Sequence, residues 1–387
     1  MTAAAAAPPR LRLDRWELAG AFADVGVLVP IAVALIVQNG LSPTAALLPA
    51  GLLYVTAAAI YRLPIPVQPL KAFGAIAIAQ GLGVDEIAAG ALLMGAIFLA
   101  LGGSGLVDLA ARAFPRPLVR GIQLTVGLLF LKIAWGLVTS PPAAFDTYGL
   151  SRGWLVALGA AVFAGLALRR RLPVPLLLVV VAALVAAVAV EGPVELGPSA
   201  LALPSLDGAT LWAAFTVLVL PQLPLTFANS CLAPADAART YFGSAAAARV
   251  RPGRLAATLG GANLLAGGLG GMPVCHGAGG LTAHVGFGAR TGAAPLAIGL
   301  VLIALALGLG AGLGALLAAF PLPILAGLLA GAGVLHIGLL RDLPPGPQLA
   351  FAVALGIVGF AVHLAVALAA GLAVWWGVRA ARALRAH

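Results

Sequence analysis

Apolar runs of about 15 to 22 residues, rich in Leu, Ala, Val and Gly, follow one another along nearly the whole chain. Short clusters of Gly, Pro and charge separate them. Breaks read at these clusters predict helices over 16–38, 43–61, 69–82, 86–103, 118–138, 153–168, 173–190 and 210–230. A second group is expected over 254–269, 275–287, 293–313, 320–339, 347–361 and 362–379. Runs of this length and composition are membrane-spanning helices rather than barrel strands. The expectation is an all-α integral membrane protein of fourteen transmembrane helices, the third and tenth short. The loops near 139–152, 191–209 and 236–253 are too short for a soluble domain.

Two stretches interrupt the pattern. Gly270–Gly292, GGMPVCHGAGGLTAHVGFGARTG, holds eight glycines between long apolar runs, and Leu63–Gly74, LPIPVQPLKAFG, is a shorter echo. Glycine and proline at such density break a helix, and broken backbone at membrane depth is tolerated only inside protein or along a cavity. Pro66-Val67-Gln68 and Pro273-Val274-Cys275 each precede a helix, at an offset of 207. The first span, around Asp24 to Pro30, has a fainter partner in Ala228 to Pro234, offset 204. Similar offsets from separate places imply a duplication with seven spans per half. An odd number of spans forces the halves into opposite orientations, the inverted-repeat plan of secondary transporters. In that plan spans 3 and 10 begin as extended backbone, continue as half-helices, and face each other across one cavity.

Composition supports the membrane assignment: 62% of the 387 residues are hydrophobic and 9% charged, against roughly a quarter charged in soluble domains. Met1–Arg15 has no apolar core, so no cleavable leader is expected. The formal charge of +10 reflects loop arginines, which read as topology signals rather than a nucleic-acid surface. With the N-terminus cytoplasmic, alternate loops collect Arg10, Arg12, Arg15, Arg62, Arg112, Arg116, Arg120, Arg169, Arg170, Arg171, Arg239, Arg249, Arg251, Arg254, Arg290, Arg341, Arg379, Arg382 and Arg385. These are 19 of the 22 basic residues. The opposite side receives Arg152 with Asp85, Glu86, Asp146, Glu191, Glu195 and Asp207. Both termini are therefore expected in the cytoplasm, with the chain in the cell (inner or plasma) membrane.

The only lysines, Lys71 and Lys132, lie within or beside spans. Lys71 falls in the first turn of the third span, an unfavourable place for a cation because a helix N-terminus is itself positive. Two facing N-termini supply about one unit of charge and Lys71 another, a sum near +2 that suits an oxyanion dianion. The alternative is a lysine that snorkels to the interface. Gly277, Gly279 and Gly280 let backbone approach a ligand closely; close helix packing is the other reading. Asp24, inside the first span at an insertion cost of about 2.5–3.5 kcal/mol, could pair with Lys71, bind a coupling cation or carry a proton. Gln68, Gln222, Thr226, Asn229, Ser230, Cys275 and His276 are polar candidates beside the same cavity, able to bond substrate oxygens or to satisfy broken backbone. Cys275, His276, His284 and Cys231 lack metal-ligand spacing, so neither a metal nor a cofactor is expected. No nucleotide-binding loop of the form Gly-x-x-x-x-Gly-Lys-[ST] is present. His336 and His363 have no evident partners.

At these motifs the sequence resembles the molybdate transporters related to the sulfate permease (SulP) superfamily. The matching pieces are ELAGAFADVGVLVPIAVAL in the first span, PVQPLKAFGAIAIA in the third, PQLPLTFANS in the eighth and GMPVCHGAGGLTAHVGFGARTG in the tenth. The family reads Gly-Asp-Leu-Gly where Ala23-Asp24-Val25-Gly26 stands, so Asp24 carries over with changed neighbours. The resemblance implies a core of spans 1–4 and 8–11 (residues 1–105 and 209–318) and a gate of spans 5–7 and 12–14 (106–208 and 319–387). It also implies elevator-like movement between the two, no cytoplasmic STAS domain, and a homodimer in membrane lipid. The expected function is proton-coupled import of molybdate, the proton carried by Asp24. Sulfate is the nearest rival substrate. A nucleobase permease on the same fold has little use for Lys71, a passive channel is separated by uptake against a gradient, and a membrane enzyme lacks a nucleophile–base constellation.

Overall fold

The computed structural model describes residues 10–111, 114–167, 173–362 and 364–385. Residues 1–9, Arg112, Arg169, Arg170, Arg171 and His363 lie outside the described residues. A helix stands in each segment where the apolar pattern placed one. Five are long and apolar enough to cross a membrane: Pro43–Tyr61, Val84–Ser104, Arg116–Thr139, Gly208–Arg249 and Leu322–Asp342. Arg152–Ala167, Val174–Ala189, Ala293–Gly308 and Pro347–Ala361 are apolar but shorter. The protein is mostly helical and multi-pass.

Two helices depart from the simple pattern. The segment expected over 16–38 is two helices, Arg15–Phe22 and Val25–Val37, bent by 42°. Asp24 stands at the N-cap of the second without capping it, because its carboxylate is engaged elsewhere. The helix expected over 210–230 continues past its expected end to a kink at Gly243, where φ is 78°, and contains two π-turns, Phe215–Val219 and Phe227–Leu232. Each π-turn lies just before a proline, Pro221 or Pro234. A proline ring clashes with the carbonyl four residues back, and a widened turn relieves that clash without ending the helix. At the start of this helix Asp207 accepts from the Thr210 N–H at 2.7 Å, which holds its carboxyl below the ordinary carboxylate range.

Packing is by close helix pairs. Pro43–Tyr61 lies against Ala293–Gly308, and Val84–Ser104 against Pro252–Gly268. Arg116–Thr139 packs on Leu322–Ile337 and Pro347–Ala361. Small residues set the distance: a Cβ at Gly127 would lie 3.0 Å from the Gly333 carbonyl oxygen, and one at Gly333 the same distance from that of Gly127. Without a hydrophobic drive between helices in lipid, such backbone proximity is what gains dispersion contact.

At the centre the helical pattern stops. Two short strands, β1 (Gln68–Pro69) and β2 (Val274–Cys275), pair antiparallel with Gln68 opposite Cys275 and Pro69 opposite Val274. The Leu70 N–H extends the ladder to the Pro273 carbonyl at 3.0 Å. A short helix follows each strand, Lys71–Gln80 after β1 and Ala278–Gly286 after β2.

Candidate functional site

The broken backbone must be satisfied inside the protein, and specific side chains do it. Pro64, Pro66 and Pro69 have no N–H, so the segment before the first short helix presents mainly carbonyls. His284 Nδ1 donates to the Pro64 carbonyl and His276 Nδ1 to the Pro66 carbonyl, both at 2.9 Å. The other His276 nitrogen, Nε2, accepts from the Thr258 hydroxyl at 2.9 Å. On the second segment, Asn263 clips β2 from both sides: its Oδ1 accepts from Val274 N at 2.7 Å and its Nδ2 donates to Val274 O at 2.8 Å.

Above this frame lies a buried polar chain. Gln68 Nε2 donates to Asp24 Oδ1 at 2.5 Å, and Lys71 Nζ donates to Gln68 Oε1 at 2.7 Å. Tyr54 donates its hydroxyl to Asp24 Oδ2 at 3.3 Å, and Lys71 Nζ lies 5.5 Å from the centre of the Phe130 ring. Asp24 and Lys71 therefore do not form the direct pair considered from the sequence; the Gln68 amide stands between them, one end on each charge.

The glycines of the second short helix are the floor of this chain. A Cβ on Gly277 would lie 1.9 Å from Gln68 Oε1 and 3.2 Å from Lys71 Nζ. On Gly280 it would lie 2.7 Å from both Asp24 Oδ2 and Gln68 Nε2, and on Gly279 2.5 Å from the Phe130 ring. Real Cβ contacts are not this short, so no larger residue fits without moving the network. Four first-turn N–H groups, those of Lys71, Ala72, Ala278 and Gly279, donate to no acceptor among the described residues. Beside Lys71 is a cavity of about 20 Å³ bounded by Gly26, Pro30, Ile31, Phe130, Ile133 and Leu329. That is room for about one water.

The structure thus brings together Asp24, Gln68, Lys71, Gly277, Gly279 and Gly280. Gln222 joins them indirectly, its Oε1 accepting from the Phe73 N–H at 2.8 Å and its Nε2 donating to Thr226 at 2.9 Å. Cys275 contributes strand backbone opposite Gln68, and its thiol points to the Pro69 carbonyl at 3.8 Å. Asn229 is buried in the second π-turn with Oδ1 unpartnered. His276 has both nitrogens committed to protein, so in this arrangement it shapes the frame and offers no ring nitrogen to an anion. Among the described residues, no group of three or more His, Cys, Asp and Glu is placed to hold a metal ion.

Sequence reading missed Tyr54, Phe130, Asn263 and Thr258. Asn263 and Thr258, polar residues inside a span, were the available signal; the two aromatics carried none. It also counted Arg120 with the loop arginines. Arg120 is fully buried: its guanidinium ion-pairs with Asp236 and Asp342 and donates to Gln123 at 2.8 Å and Thr240 at 3.1 Å. Nothing in the local pattern signals that two carboxylates far apart in the chain converge there.

Curated relatives support one identification. The chain is 29% identical to "Molybdate transporter 1" of Arabidopsis thaliana, over 84% of its own length and 80% of the relative's. It is 30% identical to "Molybdate transporter 1" of Chlamydomonas reinhardtii, covering 95% and 93%. Two solved structures share the fold at low identity. One is the transmembrane domain of a cyanobacterium bicarbonate transporter, BicA, with TM-score 0.59, 16% identity and 94% and 98% of the two chains covered. The other is murine Slc26a9, an anion transporter in the inward-facing state, with TM-score 0.64, 15% identity and 97% and 70% covered. The family model described as "Molybdate transporter of MFS superfamily" matches residues 16–130 and 214–335, which include every residue of the buried network. The chain belongs to this molybdate transporter family, a family of membrane transporters and not of enzymes.

Proposed function

We propose that this protein is a secondary active transporter that imports molybdate. The observation that carries the reading is the placement of the Lys71 ammonium at two short-helix N-termini, where the Lys71, Ala72, Ala278 and Gly279 N–H groups donate to no acceptor among the described residues. That is a positive, desolvated site for a tetrahedral dianion. Gln68, Lys71, Gly277, Gly279 and Gly280 form its wall, and Gln222, Asn229 and Cys275 support it. His276 holds the backbone.

Gln68 links substrate binding to Asp24. While Asp24 is ionised it holds Gln68 Nε2, and Gln68 Oε1 holds Lys71. A proton on Asp24 removes one negative charge from the site and loosens the amide, releasing Lys71 to the anion. This is a proton-coupled scheme in which proton and dianion enter together.

The fourteen-span, seven-plus-seven plan is supported by the symmetry of the contacts. Gln68 faces Cys275, its counterpart at offset 207, and Gly127 faces Gly333, at offset 206. The second-with-eleventh and fourth-with-ninth pairings exchange under the same operation. The core (1–105, 209–318) and gate (106–208, 319–387) then meet at the Lys71 cavity, bounded by Gly26, Pro30 and Ile31 on one side and Phe130, Ile133 and Leu329 on the other. A space of this size admits no oxyanion, so the two bodies must part for substrate to enter, as elevator motion provides. The distribution of arginines supports cytoplasmic termini and the cell membrane; the sequence resemblance adds a homodimer.

The test is uptake of radiolabelled molybdate into vesicles holding the purified protein, challenged in turn with sulfate, tungstate and uracil. Molybdate should accumulate against its gradient, with tungstate competing and uracil inert. Stronger competition by sulfate than by tungstate would move the assignment to sulfate.

A further inference from the structure

The groove between the start of helix Pro347–Ala361 and the end of helix Leu364–Arg385 is a place where charge and apolar surface meet. It encloses about 420 Å³ and is lined by Gln348, Phe351, Trp375, Val378, Arg379 and Arg382 among others. The Phe351 and Trp375 rings pack at 5.5 Å and form its apolar wall. Val374 and Val378, 54% and 44% exposed, continue that wall. Four observations point to an anion at its head. Arg379 and Arg382 have no carboxylate partner among the described residues. The chain has no acidic residue after Asp342, which is already taken by Arg116 and Arg120. Helix Pro347–Ala361 begins at Gly346 with no side-chain cap, leaving first-turn N–H groups and the positive end of its dipole at the groove. The Trp375 indole N–H is buried with no acceptor, and a buried donor left unpaired is costly.

We infer that this groove binds the phosphate of an anionic phospholipid, with an acyl chain along Val374 and Val378. A basic and aromatic cluster at the end of a span is where a bilayer presents its headgroups. A soluble anion would use the arginines but would leave the apolar wall uncovered. The inference rests on the chain being a membrane protein and not on its substrate or coupling.

The test is native mass spectrometry of the full chain, extracted from phosphatidylcholine vesicles with and without phosphatidylglycerol. The wild type should retain phosphatidylglycerol in preference to phosphatidylcholine, and Arg379→Gln/Arg382→Gln should lose that preference about tenfold or more. Trp375→Phe, which keeps an aromatic wall and removes the N–H, guards against a misfolded double variant; it should show a several-fold loss with an unchanged gel-filtration profile. Equal phosphatidylglycerol retention by wild type and both variants overturns the inference. Displacement of the lipid by millimolar inorganic phosphate overturns it too, because that identifies a soluble-anion site.

Discussion

Gly277 makes the sharpest separation between packing and chemistry at the level of single residues. Its missing Cβ is filled by the side-chain ends of Gln68 and Lys71, not by a neighbouring backbone. Gly277→Ala should therefore fold, since two flexible side chains can move, at an overpacking cost of about 1–3 kcal/mol. It should nonetheless reduce molybdate uptake at least tenfold, because the Gln68–Lys71 geometry is what it displaces. Normal uptake with a normal melting profile would place Gly277 outside the site. Asp24→Asn tests the other end of the chain. If Asp24 carries the coupling proton, uptake by the wild type rises as pH falls, whereas the Asn variant shows a flat profile. An unchanged slope in the variant would remove Asp24 from coupling. Both residues were legible in the sequence because the membrane makes them anomalous: a carboxylate inside a span and glycines clustered beside a proline each demand a reason. Tyr54 and Phe130 were not legible. An aromatic in an apolar run looks the same whether it faces lipid, core or a lysine.

Between elements, the clasp at Arg120 joins one guanidinium to two carboxylates, the Gln123 amide and the Thr240 hydroxyl. It joins helix Arg116–Thr139 to Asp342 at the end of Leu322–Asp342 and to Asp236 on Gly208–Arg249. In the proposed division Arg120 and Asp342 belong to the gate and Asp236 to the core, so one of its two ion pairs must break when the bodies move. Arg120→Ala strands Asp236 and leaves Asp342 with Arg116 alone, and should destabilise the protein by about 3–5 kcal/mol, read as early aggregation on heating. Asp236→Asn leaves Arg120 paired with Asp342, and should change the maximal uptake rate while leaving the half-saturating molybdate concentration nearly unaltered. A shift in half-saturation alone would tie Asp236 to substrate instead. At this scale the sequence showed where helices lie, because apolar runs bounded by Gly, Pro and charge are read directly. It did not show the 42° bend at Asp24 or the π-turns ahead of Pro221 and Pro234. The bend goes with the tertiary partners that take the Asp24 carboxylate, and the π-turns with how each helix accommodates its proline rather than ending there. Arg120 was misplaced for a related reason: a basic residue near a span end satisfies the topology rule equally well whether it is solvated or buried against two acids.

Across the whole molecule, the proposed transport requires core and gate to slide past each other, and cross-links can hold them selectively. Thr282, on the short helix Ala278–Gly286, bonds His336 Nδ1 at 2.8 Å across the proposed core–gate boundary. Val138 and Gly159 meet within the proposed gate: a Cβ on Gly159 would lie 3.3 Å from Val138 Cγ1, close to where a cysteine sulfur at 138 would stand. Thr282→Cys/His336→Cys, bridged through two disulfides by a short bis-methanethiosulfonate, should arrest molybdate accumulation, and reduction should restore it. Val138→Cys/Gly159→Cys should cross-link as readily and leave uptake running, because the proposed division puts both helices in one body. Interfaces packed to crystal-like density switch between discrete arrangements rather than deforming, so a single link across the boundary is enough to block the change. Continued uptake through a fully bridged Thr282–His336 pair would reject the division at 319–387. The paired short helices would then be a rigid anion pore, and accumulation against a gradient would need another source.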